Sequence, residues 1–347
     1  MQTMKAIVKA RREYGAVEMI TRPVPEPGFG EVLLKNKAVS ICGTDVHIYK
    51  WDAWSQAHVK PPAIIGHEFA AEVAAIGPGV SHVKVGDYVS GEGHLVCGFC
   101  SNCRTGNGHV CLSWKGIGYD VDGAFAEYFV LPERNVWHND PDLPPEFGAI
   151  QDPLGNATHA VFRADCVTKN VAVFGCGPVG LLAVAVLKAI GAAQIFAVEH
   201  GNQYRMDLAK QVGATHVINA ADADVVKFLK DHTDGAGVDV AIEISGAQQA
   251  ISNAIDAVRM AGDVVLLGTP VEPTPINLAS KVVFRAISIH GITGRRVWDT
   301  WFRMKGLLKS GCLDVAPIIT HSFTFDDFQK GFDVMMSGQC GKVVLTF

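Results

Sequence analysis

No run of this chain is apolar enough, for long enough, to cross a bilayer as a helix. The richest stretch, Pro178 to Val198, is broken by Lys188 and Gly191, and a span needs roughly 20 predominantly apolar residues. The N-terminus, Met1-Gln-Thr-Met-Lys-Ala-Ile-Val-Lys-Ala-Arg-Arg, lacks a signal peptide's apolar core. Its alternation reads as a first strand instead. Charge is scarce too: charged residues make up 19% of the chain and the net charge is -5. That leaves no electrostatic reason to expect nucleic acid or an anionic membrane as a partner. Internal repeats and low-complexity segments are also missing. What remains is a cytoplasmic, well-buried globular protein, 48% hydrophobic. At 347 residues it exceeds what one core usually supports, so two domains are expected.

The texture of the chain divides it. Residues 1 to about 150 are rich in Gly and Pro, with short alternating runs such as Glu31-Val-Leu-Leu-Lys and Phe69-Ala-Ala-Glu-Val-Ala-Ala-Ile. This predicts antiparallel β-structure with many loops. From Asn170 onward, short apolar strands alternate with helices. Asn170–Phe174, Gln194–Glu199, Thr215–Asn219, Val238–Glu243 and Asp263–Gly268 read as strands. Residues 179–190, Tyr204–Val212 and Ala247–Val258 read as helices. Such alternation predicts a doubly wound parallel sheet. The tail adds amphipathic helices at Val297–Lys309 and Asp326–Met336 and a last strand, Gly341–Phe347. It is expected to return to the first domain.

Gly175-Cys-Gly-Pro-Val-Gly180 follows a predicted strand and opens a helix, and Glu199 ends the next strand. In that context G-x-G-x-x-G marks a dinucleotide site. Gly175 permits the turn, Gly177 the approach of a pyrophosphate, and Gly180 close helix packing. The Glu199 carboxylate suits the adenosine ribose hydroxyls and repels a 2′-phosphate, which favours NAD. Arg205 stands against this, since an arginine there could receive that phosphate.

Nine cysteines are present, and four of them, Cys97, Cys100, Cys103 and Cys111, fall in one short loop. Without an export signal, such clustering points to metal rather than disulfides. Four thiolates with no open position suit a structural zinc; iron is the chemical rival. Cys42-Gly-Thr-Asp-Val-His47 and Gly66-His67-Glu68 supply donor types for a catalytic zinc, which uses three protein ligands and leaves one position open. Spacing alone does not bring Cys42 near His67. Cys166, Cys176, Cys312 and Cys340 are read as small core residues, and Asp326-Asp327 as a helix cap.

In this order, these motifs resemble the zinc-containing medium-chain alcohol dehydrogenase superfamily over essentially the whole chain. Within it the similarity is greatest to the L-threonine 3-dehydrogenases. It is carried by Ser40–Ser55, Ser90–His94, Asp152–Asn156, Gly291–Arg295 with Thr300-Trp301, Pro317–His321 and Phe325–Phe332. The resemblance implies an α/β fold: a Rossmann doubly wound parallel sheet at 153–296, and a GroES-like mainly β catalytic domain at 1–152 with 297–347 that carries both zinc sites. It implies catalytic-zinc ligands at Cys42, His67 and Glu68, with Asp152 nearby as a tuning residue, and a structural zinc on the four-cysteine lobe. Thr44 and His47 correspond to a proton relay. Val179, Leu267, Gly268, Thr269, Ile292 and Thr293 join Gly175, Gly177, Gly180, Glu199 and Arg205 in cofactor contact. One departure is Ala71, where the family pattern has glycine; it bears on fine geometry rather than on the ligands.

The expected reaction is zinc-dependent oxidation of L-threonine to 2-amino-3-oxobutanoate with NAD reduced to NADH, by a homotetramer that uses the edge at Ala286–Ile292. A polyol or secondary-alcohol dehydrogenase of the sorbitol or butanediol type is the runner-up. A non-catalytic NAD-binding protein is the rival from another class. Further candidates each have a plain alternative. His94 is a pocket or a loop residue. Arg295 and Arg296 receive a substrate carboxylate or make interface ion pairs. Trp51, Trp54, Trp298 and Trp301 line the pocket or pack the core.

Overall fold

A computed structural model of the chain describes residues 2–347. The chain forms two compact units: one runs to Asp152 and adds Ile319–Gly338 and Lys342–Phe347, and the other is Pro153–Ile318 with Gln339–Gly341. The tail therefore returns at Ile319, not at 297. The reason lies in packing. Trp301 and Met304 of helix Asp299–Lys309 are fully buried, and the side chain of Met304 lies against Gly155 of the second unit. The turn Ala316–Ile318 packs on helices Pro178–Ile190 and Gln203–Val212.

The first unit is mainly β. Its larger sheet runs Val136–His138, Tyr88–Gly91, Phe69–Ile76, Glu31–Ile41, Lys342–Thr346 and Ile319–Thr324, and Tyr128–Pro132 also pairs with Glu31–Ile41. A smaller sheet holds Thr3–Lys9 between Val17–Pro23 and Ala63–Ile64. The register of the larger sheet is what matters for function. Val39 pairs with Phe69 on one side of the central strand, and Ile41 pairs with Val343 on the other. Cys42, the His67-Glu68 pair and Lys342 are thus the residues just beyond or at three adjoining strand ends. Ala71 is fully buried opposite Asn36, so its methyl fits within the strand.

The second unit holds six parallel strands in the order His216–Asn219, Gln194–Glu199, Asn170–Phe174, Val238–Glu243, Val258–Leu266 and Ser288–Gly291. By sequence rank this is 3-2-1-4-5-6, the dinucleotide-binding order. The strands lack alternation because both faces are covered: Val171, Ala172, Val173 and Phe174 are all buried. Helix Pro178–Ile190 is apolar all round for the same reason, with Gly180 through Leu187 buried. Helix Val225–Asp231, which buries Val225 and Leu229 and is capped by Asp224, is an addition to the expected elements.

Candidate active site

Helix Gly43–Lys50 begins where the central strand of the first unit ends. Its N-cap is Cys42, and the Asp45 carboxylate accepts a hydrogen bond from the Cys42 N–H at 2.9 Å. Asp45 therefore fills the capping role, and Thr44 is left with its hydroxyl 3.8 Å from the Cys42 sulfur. Position 66 requires glycine. Its φ is +85°, and a Cβ there would lie 2.0 Å from the buried Phe125 ring. That turn aims His67 and Glu68 toward Cys42. Donor atoms of Cys42, His67 and Glu68 all lie within 4.8 Å of one another.

The electrostatics of this cluster call for a cation. Burial by itself would lower the His67 pKa. The Cys42 sulfur beside it, with Asp45 and Asp152 nearby, outweighs burial and raises it to about 10. Burial pushes the Asp45 carboxyl up to about 6. His67 Nδ1 and Glu68 Oε1 are buried without a hydrogen-bond partner, which is rare for polar atoms in a folded chain. A thiolate, an imidazole and a carboxylate with unspent donor atoms fit zinc. Asp152 sits close by: a Cβ on Gly93 would lie 3.6 Å from His67 Cβ and 3.8 Å from Asp152 Oδ2. Its charge reaches His67 without its belonging to the ligand cluster.

Sequence reasoning misses two residues here. Asp45 is legible only as one letter of a motif. Lys342 gives no signal: it lies 274 positions from Glu68, yet its Nζ donates to Glu68 Oε2 at 2.6 Å. Both side chains are buried, at 2% and 0% exposure.

His47 shares a helix face with Thr44, three residues on. Its Nδ1 lies 2.5 Å from Asp52 Oδ2, and the side chain is 61% exposed. The pair thus runs from the half-buried Cys42 toward solvent. His94 packs its ring at 5.0 Å from Trp114, and its backbone N–H donates to the buried Glu92 at 3.1 Å. Tyr119 lies edge-on to His67 at 6.2 Å and to Trp54 at 5.5 Å.

The second cluster is the cysteine lobe. Its sulfur separations are 3.5 Å for Cys100–Cys103 and Cys97–Cys111, and 3.9 Å for Cys97–Cys103 and Cys100–Cys111. A tetrahedron with metal–sulfur arms of about 2.3 Å has edges of about 3.8 Å, so the lobe fits one ion. Disulfides are excluded, since bonded sulfurs lie about 2.05 Å apart. The backbone N–H of Cys100 donates to Cys97 Sγ at 3.3 Å, and that of Ser113 to Cys111 Sγ at 3.4 Å. Backbone hydrogen bonds from Leu112 and Cys103 lower the Cys100 thiol to about 6, which favours the thiolate that binds metal. Of the other cysteines, Cys166, Cys176 and Cys340 are buried, but Cys312 is exposed. It sits just after helix Asp299–Lys309, in a loop that buries Leu313 and Val315 and leaves the Cys312 side chain outward. Of the expected cap pair, Asp327 stands at the N-cap of helix Phe328–Ser337 without a side-chain cap hydrogen bond, and Asp326 instead pairs with Lys5 Nζ at 2.7 Å.

The dinucleotide candidates occupy the second unit. All but Arg205, which is in helix Gln203–Val212, lie at or just after carboxyl ends of parallel strands: Gly175 to Gly180 after Asn170–Phe174, Glu199 at the end of its own strand, Leu267, Gly268 and Thr269 after Val258–Leu266, and Ile292 and Thr293 after Ser288–Gly291. In a parallel sheet those ends share one edge. Gly180 is required by the fold, because its Cβ would stand 1.9 Å from the Gly175 carbonyl oxygen. Gly177 is different. A Cβ there would meet only Arg205 Nη1, at 4.0 Å. The chain has no need of glycine at that point, whereas a phosphate approaching the helix N-terminus does. Val179 is in the first turn of that helix. Glu199 Oε2 accepts from Cys176 N at 2.7 Å and Oε1 from His200 N at 3.0 Å. Its carboxylate is therefore fixed beside the glycine turn. Arg295 is 2% exposed, laid across Gly155 with Nη1 at 3.3 Å from Asn156 Oδ1. Trp301 is core.

Two family models match the chain: the alcohol dehydrogenase GroES-like domain over residues 28–142, and the zinc-binding dehydrogenase over 178–310. The chain belongs to the zinc-containing alcohol dehydrogenase superfamily. An L-threonine 3-dehydrogenase of Caldanaerobacter subterraneus is 51% identical over 99% of this chain and 98% of its own length. The L-threonine 3-dehydrogenase of Pyrococcus furiosus is 48% identical, with the same coverage. An alcohol dehydrogenase of E. coli CFT073, solved with NADH, superposes with a TM-score of 0.91 at 26% identity, covering all of both chains. The chain is an NAD-dependent zinc dehydrogenase acting on CH–OH, with a small-molecule substrate. Among the described residues no helix is long and apolar enough to cross a membrane.

Proposed function

We propose that the chain is an L-threonine 3-dehydrogenase. It oxidises the side-chain hydroxyl of L-threonine to give 2-amino-3-oxobutanoate, with NAD reduced to NADH. The observation that carries the chemistry is the meeting of Cys42, His67 and Glu68 donor atoms within 4.8 Å beside the Thr44 hydroxyl. The substrate follows from the near-full-length similarity to enzymes that bear this name.

Cys42, His67 and Glu68 hold the catalytic zinc, with Asp152 tuning it through His67; Cys97, Cys100, Cys103 and Cys111 hold the structural one. When bound, zinc polarises an alcohol oxygen and NAD accepts hydride. The chain's own part is placement and proton movement. The Thr44 hydroxyl is both acceptor and donor, so it takes the substrate's proton and passes it along the helix face to His47. The His47 imidazole can carry a proton on either ring nitrogen, and its exposure lets it release the proton to water. Asp52 orients that ring. Gly175, Gly177, Val179 and Gly180 form the cofactor turn, and Glu199 excludes a 2′-phosphate. Leu267, Gly268, Thr269, Ile292 and Thr293 line the cofactor, and Arg205 flanks the turn. The enzyme works in the cytoplasm as a homotetramer, which light scattering at working concentration checks.

The deciding experiment is NADH formation at 340 nm on L-threonine, sorbitol and 2,3-butanediol side by side. Threonine should lead in kcat/KM by at least about 10²-fold, well within the roughly 10⁴-fold discrimination that a site hydrogen-bonding its substrate attains. Equal or better turnover of either polyol overturns the assignment.

A further inference from the structure

We propose that Lys342 is a positioning residue: it holds Glu68 at the Cys42–His67 centre by one oxygen only, so that a coordination position stays open. The inference rests on reading Cys42, His67 and Glu68 as a zinc centre.

The geometry is specific. Lys342 Nζ donates to Glu68 Oε2 at 2.6 Å and to the Ile41 carbonyl at 2.8 Å. Ile41 immediately precedes Cys42, so the lysine ties the donor carboxylate to the strand end that delivers the thiolate. The other Glu68 oxygen, Oε1, is buried with no partner. The carboxylate is thus divided, with one oxygen committed to the ammonium and one left for a cation. Neither side chain reaches solvent, so water cannot substitute for either contact.

Two positive charges compete for one carboxylate in such a place. With the ammonium engaged, Glu68 is a weakened, single-oxygen donor that substrate can push aside. Without it, the buried carboxylate has only the metal to neutralise it. Both oxygens would then turn inward and fill the position an alcohol oxygen needs. The loss of a neighbouring positive charge also tightens the hold on a divalent ion. The two effects have the same sign, so removing Lys342 should strengthen metal binding and weaken catalysis.

The test compares wild type, Lys342→Met, Lys342→Arg, Glu68→Gln and the Glu68→Gln/Lys342→Met double variant, all as full-length zinc-loaded protein. The readouts are the rate of zinc transfer to a chromophoric chelator, the visible spectrum after Co(II) exchange, and kcat and KM on threonine. Lys342→Met should release the catalytic zinc about tenfold more slowly, at the scale of metal-supporting contacts. Its Co(II) bands should lose intensity as coordination number rises, and kcat should fall more than KM changes. In the Glu68→Gln background the same substitution should slow release clearly less, because only the direct charge effect remains. Lys342→Arg, whose fork can engage both oxygens, should release zinc faster than wild type. Unchanged release in Lys342→Met, or an equal effect of that substitution with and without Glu68, overturns the proposal in favour of a merely structural lysine. If Lys342→Met does not fold, the Arg variant and the charge-neutral double variant decide: slower or unchanged release in Lys342→Arg, or release by the double variant the full tenfold slower than by Glu68→Gln, is the overturning result. Wild type holding only one zinc per chain would remove the metal centre itself, and this inference with it.

Discussion

Substituting Gly66 by alanine should damage the metal centre without touching a ligand. The new Cβ would lie 2.0 to 2.4 Å from three atoms of the Phe125 ring. Carbon atoms rest about 3.5–4.0 Å apart, so something must move by roughly 1.5 Å. Phe125 is fully buried and has no room. Retreat the other way is also blocked, because Gly118 and Gly123 already stand so close to the Gly66 carbonyl that a Cβ on either would come within 2.6 and 2.2 Å of its oxygen. The φ of +85° adds about 1 kcal/mol for a residue with a side chain, and overpacking adds about 1–3 kcal/mol. The sum, about 2–4 kcal/mol, corresponds to a Tm lower by about 4–16 °C in a unit of this size. His67 is the next residue, and a shift of about 1 Å in a reacting group can cost about 10²-fold in rate. Differential scanning calorimetry, zinc content and kcat on threonine measure all three consequences. Gly86→Ala is the control: its φ is +90° but a Cβ meets nothing within 4 Å, so it should lose only the conformational part and keep full kcat. If Gly66→Ala matches that control in Tm, zinc and kcat, the steric reasoning for this turn is wrong.

Other expectations follow from the same geometry. Thr44→Val should lower kcat by about 10²-fold and His47→Gln by about tenfold, because solvent replaces the exposed His47 more easily than the half-buried Thr44; stopped-flow NADH formation checks the order. Glu199→Ala should raise KM for NAD and lower it for NADP, shifting their kcat/KM ratio by about 10- to 100-fold, the scale of hydrogen bonds to a charged group. An unchanged ratio would remove Glu199 from cofactor selection. Burial lowers the pKa of His159, and burial with the neighbouring His232 lowers that of His216, both from 6.5. Below pH 6.5 the unfolded chain therefore binds protons that the folded chain refuses, and stability falls as acid is added. Urea titrations between pH 5 and 7 should show a shallower slope in His159→Gln.

Local patterns are legible in the residues themselves. The glycine turn, its strand and helix, and Glu199 lie within one short βαβ segment, and the four cysteines within one loop. Near neighbours along the chain meet whatever the rest of it does. The strand Asn170–Phe174 is legible for another reason: a doubly covered strand writes its burial as an unbroken apolar run, here Val171 to Phe174. The tail boundary is not legible, because whether helix Asp299–Lys309 stays with the second unit depends on the surface that covers Trp301. The exposure of Cys312 and the pairing of Asp326 with Lys5 escape in the same way, since neither residue type states which partner it will find.

Residue types and their spacing are enough to set the class of chemistry: thiolate, imidazole and carboxylate donors, a phosphate-binding turn, and a loop that closes around one ion. That Cys42, His67, Glu68, Asp45 and Lys342 share one place is a property of the folded chain alone. Their meeting is a matter of sheet register, Val39 against Phe69 and Ile41 against Val343. Register is set by which strands bury against which, a long-range competition among hydrophobic faces that short stretches of sequence do not encode.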